Sequence, residues 1–327
     1  MTKFMQEQQR VAELFIQAGV NKVDANTVAE CLVTADEYGV TSHGTATVPA
    51  HVQRIRLGGY NLSPKLKTVR KTSAFAVIDG DNAIGMVSAR HCIDYAIKKC
   101  KRSGVYTVFS RNNNTLGPAF YYPLLCAKKG YLGIVCTNAP AQMSPVGGKD
   151  KLIGTNPLSI VVPNGDNPII LDMATSVVAK SKFKEYKEQG KLLPEGWALD
   201  ENGQPTTDPD AGIRGSVLPM AGMKGYGLAL MIDVLSGVLS GASWLNNVGR
   251  FYSEDGKGMN VGFCFTVIDP KKVFGQDYDK VIAEFVHTIR TSAPADGQTV
   301  CLPGDDRLSF SQKNLKFIRK KDENSDF

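Results

Sequence analysis

The stretch Gly130–Ser176 constrains the fold of this chain more than any other, because three short apolar runs in it are separated only by turn-formers. Leu132–Cys136, Leu158–Val162 and Ile169–Leu171 are rich in Val, Ile and Leu and too short for helices, so each reads as a strand. Between them stand Asn138-Ala-Pro140, Gly147-Gly148, Gly154-Thr-Asn-Pro157 and Pro163-Asn-Gly165. Asn164-Gly165 between two apolar runs predicts a tight hairpin. The chain therefore builds a mostly antiparallel sheet whose loops carry backbone N–H groups and small hydroxyls. Such loops suit a phosphate or an amide-bearing cofactor, since glycine lets a ligand approach the backbone. They equally suit a sheet with tight turns and no ligand.

Before this stretch, Val11, Leu14, Phe15 and Ala18 recur at helical spacing and stop at Gly19; Val28, Cys31, Leu32 and Ala35 repeat the pattern after Asp24. A third helix runs from Thr45-Ala-Thr-Val-Pro49 to Gly58-Gly59. These helices and the polar segment Asn61–Thr72 predict a helical N-terminal lobe over 1–72. An α/β domain follows over 73–310, then a charged tail over 311–327, expected to fray after a short helix. Within the domain, Ser73–Asp79, Val105–Phe109, Val261–Ile268 and Val300–Leu302 read as strands. Ala89–Cys100, Pro118–Lys129, a Lys-rich segment after Ser176 and Val281–Ile289 read as helices. Leu193–Gly215 reads as a long exposed loop. Met223–Gly241 is apolar nearly all round, which predicts a deeply buried helix.

The 327 residues suffice for a substantial core. The net charge of +6 is spread over Lys65–Lys71, Lys98–Arg102, Lys180–Lys187 and Lys316–Lys321, with too few interleaved aromatics for a nucleic-acid platform. Seven cysteines without a CxxC pair predict reduced thiols in the cytoplasm, and four histidines show no metal-ligand spacing. No run approaches the roughly 18 apolar residues of a membrane span.

No Gly-x-Gly-x-x-Gly follows a strand, and no phosphate-cradling loop or nucleophile elbow is present. Three residues stand out instead. His43, in Thr41-Ser-His-Gly44 between two helices, has the setting of a group that titrates near neutrality, or of a surface histidine. Lys224 precedes the apolar helix, where it either holds a phosphate or is solvated. Asp172 ends an apolar strand and either caps a turn or holds a ligand hydroxyl.

Read together, Ser42-His-Gly44, Thr137-Asn-Ala-Pro-Ala-Gln-Met-Ser-Pro-Val-Gly-Gly148, Gly154-Thr-Asn-Pro157, Asp172-Met-Ala-Thr-Ser176, Pro194-Glu-Gly-Trp197, Met223-Lys-Gly-Tyr-Gly227 and Pro303-Gly-Asp305 resemble the malate/L-lactate dehydrogenase family. That family includes sulfolactate, ureidoglycolate, diketogulonate and piperideine-carboxylate oxidoreductases. The resemblance implies a non-Rossmann fold that binds NAD(P)H on a largely antiparallel sheet, and a homodimer with the site near its interface. It places His43 on a proton donor or acceptor, and Ser42, Thr47, Asn114 and Thr115 beside the substrate. Asp172, Met173, Ala174, Thr175, Ser176, Lys224, Gly225, Gly304, Asp305 and Asp306 fall on cofactor-contacting segments. Two positions depart from the pattern: Thr47 stands where the family usually has an arginine suited to a substrate carboxylate, and Thr115 where it has a second histidine.

The resemblance implies an NAD(P)H-dependent oxidoreductase reducing a C=O or C=N bond of a small polar substrate, a 2-oxo acid or a cyclic imine, without nucleic-acid or membrane partners. The rival reading is a catalytically silent homologue that binds a nucleotide or a partner, motivated by both departures. A structural or nucleic-acid-binding role has only the basic charge behind it.

Overall fold

The computed structural model describes residues 3–313. The expected tail from 314 onward lies outside the described residues, while 311–313 continue a helical segment that begins at 305. The chain opens with α1 (Lys3–Gln17), α2 (Lys22–Glu37) and α3 (Val48–Arg56). α1 buries Val11, Ala12 and Phe15 on one stripe. α2 starts where the Asn21 side chain accepts a hydrogen bond from Asp24 N at 3.1 Å. Val11, Phe15, Val28 and Leu32 share one apolar cluster with Ile78, Ile93, Tyr106 and Phe265, so the helices pack on the sheet's own core.

The strands are β1 (Lys67–Lys71), β2 (Phe75–Asp79), β3 (Val105–Asn113), β4 (Leu132–Thr137), β5 (Ala141–Met143), β6 (Ile153–Gly154), β7 (Leu158–Val162), β8 (Ile169–Met173), β9 (Ala198–Leu199), β10 (Pro205–Thr206), β11 (Ser216–Val217) and β12 (Val261–Ile268). The main sheet runs β1–β2–β3–β12–β4–β7–β8. β2 and β3 are parallel and joined through α4 (Gly85–Ser103); every other pair in this sheet is antiparallel. α5 (Tyr121–Ala127) leads into β4 and adds Tyr121, Tyr122 and Cys126 to the same core. The Asn164-Gly165 hairpin joins β7 to β8 as expected.

Four expectations are corrected. The polar segment Asn61–Thr72 contains β1, an edge strand exposed on both faces, which apolar alternation has no means to reveal. The expected long loop Leu193–Gly215 holds β9, β10 and α7 (Pro209–Arg214), and with α6 (Ser181–Glu188) it folds over a second core of Met143, Ile153, Phe183, Leu193, Ala198, Val217 and Ala229. The apolar segment from Met223 is α-helical only through Asp233 (α8, Met223–Asp233) and widens to a π turn over Val234–Val238. It is not deeply buried: Met231, Leu235, Val238 and Leu239 are exposed. Val300–Leu302 is not a strand, although the next residue, Pro303, accepts a hydrogen bond from Ile170 N at 2.9 Å. α9 (Pro270–Val273) and α10 (Tyr278–Arg290) close the chain before that segment.

α3 carries two buried polar side chains. Arg54 has no carboxylate partner among the described residues; its guanidinium donates to the carbonyls of Arg250, Phe251 and Lys257 and to Asn114 Oδ1. Carbonyl dipoles thus hold the charge. His51 lies against Phe15 and Phe251, with Nδ1 2.8 Å from the Tyr60 hydroxyl. Burial first, and the Arg54 cation second, push its pKa down from 6.5 to about 3. The folded state therefore keeps His51 neutral, so its contribution is full above pH 6.5 and is lost as pH falls toward 3. Each pH unit inside that window costs about 1.4 kcal/mol. The thermal midpoint is expected to fall by several degrees between about pH 7.5 and about pH 5, and to fall less in His51→Gln. Equal slopes in circular-dichroism melts remove His51 as the cause.

Candidate active site

His43 ends a short 3₁₀ turn, Thr41–His43, between α2 and α3. Its Nδ1 lies 3.0 Å from the Ser42 hydroxyl, which leaves Nε2 for a ligand. The glycine that follows is needed for space. A Cβ on Gly44 would lie 1.9 Å from Asp36 Oδ1, and the other Asp36 oxygen accepts from the Thr45 backbone N–H at 3.0 Å and from the Thr45 hydroxyl. The Ser-His-Gly-Thr turn is thereby clamped to the end of α2.

Asp172 is inside β8, one residue before its end. Its Oδ2 meets Arg307 Nη2 at 2.9 Å, and the same Nη2 donates to the Asp172 carbonyl at 3.1 Å. The Arg307 guanidinium stands 5.1 Å over the Phe120 ring, while its Nη1 is buried without a hydrogen-bond partner. Burial pushes the Asp172 carboxyl up, and Arg307 and then His43 oppose it. His43 is exposed to solvent, yet protein groups surround it closely enough to strip water from a charged ring. That crowding lowers its proton affinity most; Asp172 raises it and Arg307 lowers it further. The remaining water moderates the effect.

The other expected residues are distributed as follows. The Thr47 hydroxyl donates to the Gly44 carbonyl at 2.7 Å, and Thr115 Oγ1 accepts from Gly117 N at 3.3 Å. The Asn114 amide is buried and saturated: Oδ1 accepts from Arg54 and Met259 N, and Nδ2 donates to Asn82 and Ala83. It holds its loop together, and the backbone carries Thr115 beside it. Met173 and Ala174 are half-buried. Thr175 donates to the Thr155 carbonyl, and Ser176 bridges to Pro219. Through Met220 N, which donates to Thr175 O at 3.0 Å, this run reaches the start of α8, where Lys224 is exposed and Gly225 buried. A cavity of about 630 Å³, lined by Lys149, Val177, Gln204, Ser216, Ala221 and Gly222 among others, opens beside that junction. Gly304 packs on Ile170. Asp306 is exposed, and Asp305 is turned away to a two-pronged pair with Arg290 at 2.7 and 3.0 Å.

The structure thus gathers Ser42, His43 and Asp172 and leaves Lys224 at the far end of the 172–176 run. Arg307 and Phe120 complete the cluster, and reading the sequence did not single them out. The available signal was a cation three residues after Gly304, but no local pattern links positions 172 and 307. No group of His, Cys, Asp and Glu suited to a metal ion exists among the described residues.

The model of the family described as malate/L-lactate dehydrogenase matches residues 2–317. The chain is 40% identical to a malate dehydrogenase of Pyrococcus horikoshii over 291 residues, covering 86% of this chain and 80% of that protein. It is 35% identical to a ureidoglycolate dehydrogenase (NAD(+)) of Escherichia coli K12 over 302 residues, covering 91% and 86%. Its structure superposes on the sulfolactate dehydrogenase of Methanocaldococcus jannaschii with a TM-score of 0.90 at 34% identity, covering 98% of this chain and 96% of that one. The chain belongs to the malate/L-lactate dehydrogenase family and is an oxidoreductase.

Proposed function

We propose that the protein is an NAD(P)H-dependent oxidoreductase that reduces a C=O or C=N bond of a small polar substrate, a 2-oxo acid or a cyclic imine, with His43 as proton donor and, in reverse, acceptor. The observation that carries this is His43 itself: Nδ1 engaged by Ser42, Nε2 free and the residue exposed to solvent beside the Asp172–Arg307 pair. A positioned imidazole of this kind supplies the proton that a reduced carbonyl oxygen or imine nitrogen requires.

The residues present fit a nicotinamide cofactor without a glycine-rich strand–helix turn. β8 is the outer strand of the sheet, and Pro303 covers its edge only at Ile170. Beyond that, the chain leaves β8 after Met173, bends at Thr175 and is tied through Met220 to the start of α8 near Lys224, and Arg307 Nη1 lacks an acceptor. Asp172 to Ser176, Lys224, Gly225 and Gly304 to Asp306 would hold the cofactor. When bound, it supplies the hydride. Lys224→Ala is expected to weaken NAD(P)H binding about tenfold in a fluorescence titration, the loss of one charge-assisted contact; equal affinities exclude Lys224.

The acid or base role of His43 gives the pH dependence its sign, and its lowered proton affinity gives the position. Reduction uses the protonated ring and oxidation the neutral one, so reduction falls and oxidation rises with pH around a midpoint below the ordinary 6.5. The exposed face of Met231, Leu235, Val238 and Leu239 supports a homodimer, with a second copy covering the helix. Light scattering is expected to give twice the 35.4 kDa chain mass. The free state of all seven cysteines supports a reducing compartment such as the cytoplasm.

The test of the activity is a panel of 2-oxo acids and cyclic imines with NADH and NADPH. Oxidation of either cofactor supports the reading. Cofactor binding without oxidation by any member of the panel would instead support the catalytically silent homologue, in keeping with the inward-tied hydroxyls of Thr47 and Thr115.

A further inference from the structure

Proton transfer through His43 leaves Arg307 without a part, yet several contacts fix its place. One Nη binds both the carboxylate and the carbonyl of Asp172, and the guanidinium lies over Phe120. The pair is mostly buried, with side-chain exposures of 18% for Arg307 and 13% for Asp172. A carboxylate so withdrawn from water favours its neutral form unless a cation faces it. The remaining acids around the turn are engaged elsewhere: Asp36 with Thr45, and Glu37 with the Ser311 hydroxyl at 3.3 Å. Asp306, next to Arg307, is exposed. Asp172 and Arg307 are the charged groups that act on His43.

We infer that Arg307 is a positioning residue for proton transfer: it holds Asp172 ionised against β8, so that the proton exchanged with substrate resides on His43 and not on Asp172. The inference rests on the assignment of His43 as the proton-transfer group. Without the guanidinium, losing the last proton from the Asp172–His43 pair would leave an uncompensated buried carboxylate. The two groups would then titrate as a coupled pair that keeps its proton to higher pH. With a lysine at 307, a cation still faces the carboxylate, although the two-pronged contact is lost.

The experiment follows His43 in isotope-labelled protein by ring NMR over a pH series, with the resonance assigned through His43→Asn, and in parallel the pH dependence of kcat/KM. Arg307→Met is expected to raise the midpoint by about one unit or more, and Arg307→Lys to leave it near the native value. Asp172→Asn is expected to lower it, because Arg307 then acts alone. An unmoved midpoint in Arg307→Met despite lost turnover would overturn the inference and leave Arg307 a pin for the C-terminal segment. If Arg307→Met does not fold, Asp172→Asn decides: a midpoint that fails to drop overturns it equally. A native enzyme whose kcat/KM does not follow the His43 titration would defeat the His43 assignment instead, and the NMR arm would still judge Arg307.

Discussion

Replacing His43 with alanine is expected to lower turnover by about 10²–10⁴-fold, the usual contribution of a positioned acid or base. Affinity for NAD(P)H should change by no more than about twofold, because in the proposed role the ring meets the substrate, and Asp172 keeps its contact with Arg307. The loss should be large because the structure offers no second titratable group where the family usually has one. Thr115 is there, its hydroxyl bonded to Gly117 N, and a threonine does not titrate near neutrality. Tyr121 is no substitute: its hydroxyl accepts from Arg90 at 2.9 Å, and burial pushes its proton affinity well up. Single-turnover rates with saturating cofactor check the prediction, and a His43→Ala enzyme with native turnover would refute the assignment. Adding Thr115→His and Thr47→Arg together should raise activity toward a 2-oxo acid. Thr115→His alone should not, since a carboxylate would still lack a bidentate partner.

Gly85→Ala is expected to destabilise the fold by about 3–5 kcal/mol. A methyl there would lie 2.1 Å from the Asn114 carbonyl oxygen and 2.2 Å from that of Thr115. Both obstacles are backbone, and the loop has nowhere to go. The Asn114 side chain is bonded to Arg54, Met259 N, Asn82 and Ala83, so moving its backbone breaks a saturated buried network. The urea midpoint should fall with little change in slope. Gly227→Ala in α8 is the control, since a Cβ there meets nothing within 4 Å. That change should be neutral or stabilising by up to about 1 kcal/mol. A Gly85→Ala protein with the native midpoint would show that α4 does not hold this loop.

Much of the architecture was legible in the chain because its cause is local. Leu158–Val162 and Val261–Ile268 are strands at the expected residues, since an apolar run bounded by turn-formers has few other ways to bury itself. Asn164-Gly165 closes its hairpin for the same reason. The turn bearing His43 and the run from Asp172 were recognisable as motifs, although a motif does not say why its glycine is there; Asp36 supplies that answer for Gly44.

What stayed hidden depends on partners distant in the chain. β1 is polar except for Val69 and exposed throughout, and it exists because β2 offers it a free edge. The segment 193–215 looked like an exposed loop because it gives only Leu193 and Ala198 to its core, whose other members, among them Phe183, Val217 and Ala229, lie outside it. The helix after Lys224 carries apolar residues all round, yet composition has no way to say which face the sheet covers and which stays open. The ion pair that gives the candidate site its charge joins residues 135 positions apart. Periodicity and turn chemistry act over a few residues and decide which elements form; the pairing of Asp172 with Arg307 beside His43 is decided only when β8 and the C-terminal segment pack, because burial and Coulomb interactions depend on distance in space and not along the chain.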